Sequence, residues 1–153
     1  MKRKVLIGLG VVIIVFIIIQ FIPGQFNQSK QASANNIAEV YSMPQDVKAI
    51  LKKDCYDCHS NNTNYPFYAH LQPMRLMLDR HVRNGKDELN FDEFATYSER
   101  KKRSKLRAIS TSLDEGTMPL PSYLLIHGDA KLTSKDKMLI KSWIRSASEA
   151  GNE

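Results

Sequence analysis

The chain has 153 residues, 42% of them hydrophobic, with a formal net charge of +6 and two cysteines. Lys2, Arg3 and Lys4 supply half of that charge, and the +3 left over is too mild to mark a nucleic-acid binder. The length allows one domain; because much of the apolar content precedes position 24, that domain has roughly 110 residues and a small core that a cofactor would enlarge.

In chain order, residues 1–23 come first. Val5 to Ile22 carry no charge and are almost entirely Val, Ile, Leu, Phe and Gly. Eighteen residues at helical rise cover about 27 Å, which predicts a single N-terminal transmembrane helix. The run exceeds the roughly 7–15 residues of a secretory signal's core, and a polar stretch separates it from the small residues Ala32-Ser33-Ala34, so an uncleaved anchor is favoured over a cleaved signal. The positive-inside rule keeps Lys2, Arg3 and Lys4 in the cytoplasm and puts the rest on the far, exported side of the membrane. Residues 24–39, rich in Gln, Ser, Asn and Ala, read as a flexible tether to a domain over 40–150.

Four helices are expected in that domain. The first opens near Ser42 with Pro44 in its first turn and runs through Val47, Ile50 and Leu51 toward Cys55. A second starts at Pro73 and stops at Asn84-Gly85, with Met74, Met77 or Leu78, and His81 on a face suited to a flat apolar cofactor. The third runs from about Ser98 to Glu115 and is stopped by Gly116; it buries Leu106, Ile109 and Leu113 and turns a basic cluster, Arg100 to Arg107, to water. The last begins at Thr133 or Ser134, where Thr133 and Asp136 form a capping box; it buries Met138, Leu139, Trp143 and Ile144 and ends before Gly151. No alternating strand pair is evident, so the fold class is all-α, a small helical domain.

Between the first two helices lies Cys55-Tyr56-Asp57-Cys58-His59. Two thiols three residues apart reach the two vinyl groups of one haem, and the adjacent imidazole binds its iron. The competing readings are weaker: a zinc site needs a fourth ligand and there is no second cysteine pair, while a thioredoxin-like dithiol needs a βαβ context. Cys55 and Cys58 are therefore expected to hold one covalent haem c, with His59 as the proximal ligand.

The sixth ligand is open among Met118, His81, His127 and His70. Met118 is preferred because Gly116-Thr117-Met118-Pro119 is an irregular loop after a helix, in which proline stiffens the backbone around the thioether. The alternatives are a methionine filling a core gap and histidines that pack or meet a haem propionate.

The chain resembles a family of small exported bacterial haem-binding domain proteins common among Bacteroidota. The resemblance is carried by Asp54-Cys55-Tyr56-Asp57-Cys58-His59-Ser60-Asn61, Tyr65-Pro66-Phe67-Tyr68, His81, Gly85, Leu89-Asn90-Phe91, Gly116-Thr117-Met118-Pro119, Tyr123, His127 and Leu132-Thr133, and covers the chain from about Val40 onward. It implies a c-type haem and a helical cytochrome-like fold; where the family often has tryptophan, this chain keeps aromatic rings at Phe67 and Phe94.

The expected function is electron transfer by a membrane-anchored monohaem cytochrome, with redox proteins as partners and no nucleic acid. The cytochrome is expected to be a carrier and not an enzyme. The rivals are a peroxidase-like enzyme and a gas sensor, both of which need an open sixth iron site.

Overall fold

The computed structural model describes residues 2–29 and 33–150. Within them the chain forms eight α-helices: α1 (Lys2–Ile19), α2 (Ile37–Val40), α3 (Gln45–Asp54), α4 (Tyr56–His59), α5 (Met74–Glu88), α6 (Glu99–Glu115), α7 (Pro121–Leu124) and α8 (Ser134–Ala150). Short 3-10 turns cover Phe67–His70, Phe91–Thr96 and Gly128–Ala130. No strand forms among the described residues apart from one isolated bridge, Gln28 to Asn62, so the all-α expectation holds.

Local signals explain the long helices. In α6 the Ser98 side chain accepts from the Lys101 N–H, and Gly116, at φ 67°, ends the helix in the left-handed conformation that glycine takes without a Cβ penalty. In α8 the Thr133 hydroxyl accepts from the Asp136 N–H, and the Asp136 carboxylate accepts from the Thr133 N–H. That carboxyl is held below its ordinary range by the Thr133 hydroxyl and then by the Thr133 N–H. Because the group is depressed only in the fold, its contribution exists above pH 3.8 and disappears as the pH drops through the lowered native value. Thermal melts of the wild type and Asp136→Ala are accordingly expected to be separated above that pH and to draw together in more acidic solution.

The main core joins α2, α3, α6 and α8 with the turn at Phe91–Thr96: Ile37, Val47, Leu51, Phe91, Phe94, Leu106, Leu113, Ile140 and Trp143 are buried together. The Trp143 indole donates to the Ser42 carbonyl at 3.1 Å, so a buried aromatic keeps its polar tip satisfied. A smaller cluster of Ala69, Leu78 and Val82 packs with Cys58 and Tyr65.

Several expectations need correction. Helix α5 does not stop at Asn84-Gly85 but continues to Glu88, and its buried face is Arg75, Leu78 and Val82, leaving Met77 exposed. Gly85 is interior to the helix because a Cβ there would lie 2.6 Å from the Cys58 carbonyl oxygen; close approach to α4, not termination, needs the glycine. Helix α8 buries Ile140, Trp143, Ile144 and Ala147, while Met138 is exposed. Gly151, expected just past its end, lies outside the described residues.

The N-terminal expectation changes most. Helix α1 contains the three basic residues and ends at Ile19, so its uncharged part, Val5 to Ile19, spans about 22 Å against the roughly 30 Å of a bilayer core. Among the described residues no helix is long and apolar enough to cross a membrane. Beyond Ile19 the backbone tightens into i to i−3 hydrogen bonds, from Gln20, Phe21 and Ile22, ahead of Pro23.

The segment read as a tether is hydrogen-bonded to the domain on both sides of residues 30–32, which lie outside the described residues together with Ala32 of the small-residue run. Asn27 donates to the Ser60 carbonyl and the Thr63 hydroxyl and accepts from the Lys86 ammonium. Asn36 caps α2 through the Ala38 N–H and donates to Asp92, whose other oxygen accepts from the Asn61 N–H.

Candidate functional site

Helix α3 ends at Asp54, and Cys55 serves both as its C-cap and as the N-cap of α4. One helical turn then carries Tyr56, Asp57, Cys58 and His59, with the Cys58 and His59 N–H groups both donating to the Cys55 carbonyl. The first cysteine and the histidine, four apart, project from the same side of that turn.

His59 is oriented by the main chain. Its Nδ1 lies 3.0 Å from the Leu89 carbonyl oxygen, which can only accept, so Nδ1 carries the proton and Nε2 keeps its lone pair. Burial holds the imidazole below its ordinary pKa, with the Leu89 carbonyl partly opposing that shift, and the neutral ring is the form that ligates a metal. A ligating histidine whose other nitrogen donates to a backbone carbonyl is the usual arrangement that fixes ring and tautomer.

The two thiols are pushed up by burial, Cys55 to about 12 and Cys58 to about 11. Both are free and remain protonated at neutral pH. Neither is the low-pKa thiolate of a dithiol oxidoreductase. Among the described residues no group of three or more His, Cys, Asp and Glu is placed to hold a metal ion by itself.

Cys55 and His59 open onto a cavity of about 220 Å³ between α3, α6 and the loop after α6. Leu51, Leu89, Phe91, Ile109, Leu113 and Leu132 supply most of its wall, and Met118 and Pro119 also line it. The structure therefore brings Met118 to the same apolar space as His59. His81 and His127 do not line it.

His127 sits elsewhere, stacked on Tyr123 with ring centres 4.3 Å apart and hydrogen-bonded through Nε2 to the Tyr68 hydroxyl at 2.6 Å. It faces a larger cavity of about 800 Å³ on the other side of α4, lined by Tyr56, Asp57, Asp92 and Tyr123 among others. Burial raises the Asp57 carboxyl, opposed by hydrogen bonds from the Asn64 N–H and the Tyr123 hydroxyl. His70 lies against Phe26, with ring centres 5.4 Å apart. Cys58 packs toward α5 with Leu78 and Val82 and is not part of the apolar cavity's lining.

Sequence reasoning missed three contributors. The Leu89 carbonyl is a backbone group, and only the Leu89-Asn90-Phe91 run hinted at it. Asp54 lines the apolar cavity with its Oδ1 buried and without a hydrogen bond, and burial raises its carboxyl. Lys105, read only as part of a basic run, reaches the same cavity and pairs with Glu88 at 3.5 Å.

One thiol, Cys55, shares the apolar cleft with an oriented imidazole and a methionine, and the second thiol, Cys58, lies on the same short turn facing α5; a donor set of this kind suits haem. The chain belongs to the haem-binding domain family, whose model matches residues 14–146. No curated protein and no solved structure matches it.

Proposed function

We propose that the chain is a monohaem c-type cytochrome that carries electrons, with Cys55 and Cys58 as the thioether attachment points, His59 as the proximal ligand and Met118 as the distal one. The observation that supports this most is the shared cavity: His59, its Nδ1 turned to the Leu89 carbonyl, and Met118 line one apolar space beside Cys55. Haem bound there supplies a one-electron couple. His59 and Met118 would hold the iron and so keep small oxidants from it, while the apolar wall would exclude water. Cys55 and Cys58, both free thiols, would hold the haem covalently, each adding its S–H across one vinyl group.

Helix α1 is apolar and exposed along nearly all of its uncharged length, with no buried residue. A helix that is apolar all round has to be covered, and lipid is the cover that needs no complementary shape. We therefore place the protein at the periplasmic face of the bacterial cytoplasmic membrane, with α1 embedded in the lipid without spanning it and the haem domain outside, where c-type attachment takes place. Redox proteins are its partners. Arg100, Arg103 and Arg107 are exposed on α6 beside the wall of the apolar cavity, which suits docking of an acidic partner near the haem.

The reading is tested on the oxidised and reduced holoprotein. A low-spin spectrum in both states, no reaction with carbon monoxide, and electron exchange that slows as salt is raised are expected. A high-spin spectrum with ready carbon monoxide or peroxide binding would establish the alternative, an enzyme or sensor with an open iron site.

A further inference from the structure

The haem domain is fixed at the end of α1 and does not hang from it on a leash. The Gln20 side-chain amide pairs with the backbone of Gln72, donating to its carbonyl at 3.2 Å and accepting from its N–H at 3.0 Å. A few residues on, the Phe26 ring meets Tyr65 edge-on at 4.8 Å and carries the Arg75 guanidinium 3.9 Å above its centre. Asn27 is then held by Tyr65, Ser60, Thr63 and Lys86. A bilayer that covers α1 thus meets the domain at one defined place.

That place is apolar and exposed. Phe21 is 81% exposed, Leu71 beside Gln72 is 51% exposed, and Phe67 in the same short turn is 84% exposed. The hydrogen bond from Tyr68 to His127 brings the next loop alongside, where Leu125 is 87% and Ile126 is 50% exposed. Neither segment, 66–74 or 116–128, contains an acidic residue, so nothing in them repels an anionic surface. Exposed apolar residues gathered on short irregular segments mark an interaction surface, and this one is continuous with a helix that itself has no protein cover.

We propose that Phe21, Phe67, Leu71, Leu125 and Ile126 form a lipid-contact face that seats the haem domain in the interfacial layer of the bilayer. The proposal rests on the reading of α1 as membrane-embedded and adds that the domain lies on the membrane in one orientation.

The test uses the full-length holoprotein in vesicles of phosphatidylethanolamine and phosphatidylglycerol, with Phe67→Trp and Leu125→Trp as reporters. The native Trp143 is buried and is the background in the parent chain. On vesicles made with brominated lipids, the added indoles are expected to lose most of their emission, while the parent's Trp143 signal stays as it is. Both positions are exposed, and an unchanged haem spectrum checks that each variant is folded. Vesicles that carry the protein but leave both reporters unquenched by bromine and open to aqueous iodide overturn the lipid-contact face and assign the patch to a protein partner. A protein that does not float with vesicles at all overturns the reading of α1, and the lipid-contact face with it.

Discussion

Met118→Ala is expected to convert the low-spin haem of the wild type into a high-spin or water-ligated one that binds carbon monoxide, with loss of the long-wavelength ferric band of methionine ligation. The residue lies in the loop that Gly116 starts by ending α6 in the left-handed conformation, and Pro119 follows it directly. Its side chain lines the cavity that His59 enters from α4. A thioether stabilises the reduced iron relative to the oxidised one, so its removal is also expected to lower the midpoint potential by on the order of 100 mV, a fraction of the roughly 0.8 V that axial ligation commands across haem proteins. His81→Ala and His127→Ala are the matched comparisons. Because neither histidine lines the cavity, both variants are expected to keep the wild-type spectrum. A low-spin spectrum that survives in Met118→Ala and disappears in either histidine variant would move the distal ligand out of this cavity.

The sequence was most readable where signals are local. The ends of α6 follow from Ser98 and Gly116, and the start of α8 from Thr133 and Asp136, because in each case the capping partner lies within a few residues. The irregular loop that carries Met118 to the cavity was legible for a similar reason: it is set by a glycine and a proline on either side. What was not legible depends on contacts distant in sequence. The run Gln25 to Asn36 has the composition of a linker, yet Asn27 and Asn36 bond to groups around residues 60 and 90, which composition does not reveal. The length of α1 was overestimated because hydropathy continues to Ile22, while the helix gives way at Gln20, whose amide is engaged by Gln72. His59 itself was obvious from the motif, but its orientation comes from a carbonyl thirty residues away.

Gly85→Ala separates the two possible meanings of a glycine in α5. Were the residue a helix terminator, alanine would extend or firm the helix and gain up to about 1 kcal/mol from propensity. In the fold, however, the helix already continues to Glu88, and the added methyl would sit 2.6 Å from the Cys58 carbonyl oxygen and 3.2 Å from its Cβ. The obstacle is backbone, which cannot rotate aside as a side chain does, so α4 and α5 must separate. Overpacking of this kind costs about 1–3 kcal/mol and outweighs the propensity gain, for a net loss of about 1–2 kcal/mol. In a domain of this size the melting temperature should fall by several degrees. The displaced residue belongs to the Cys55 to His59 turn, and the Leu89 carbonyl that orients His59 follows directly on the end of α5, so the same movement disturbs both. Less haem per chain is therefore expected in Gly85→Ala than in a variant of equal stability mutated away from α4, such as one at the exposed Met138 face of α8. Equal haem content at equal stability would mean that α4 tolerates the shift, and that Gly85 serves the stability of the fold alone.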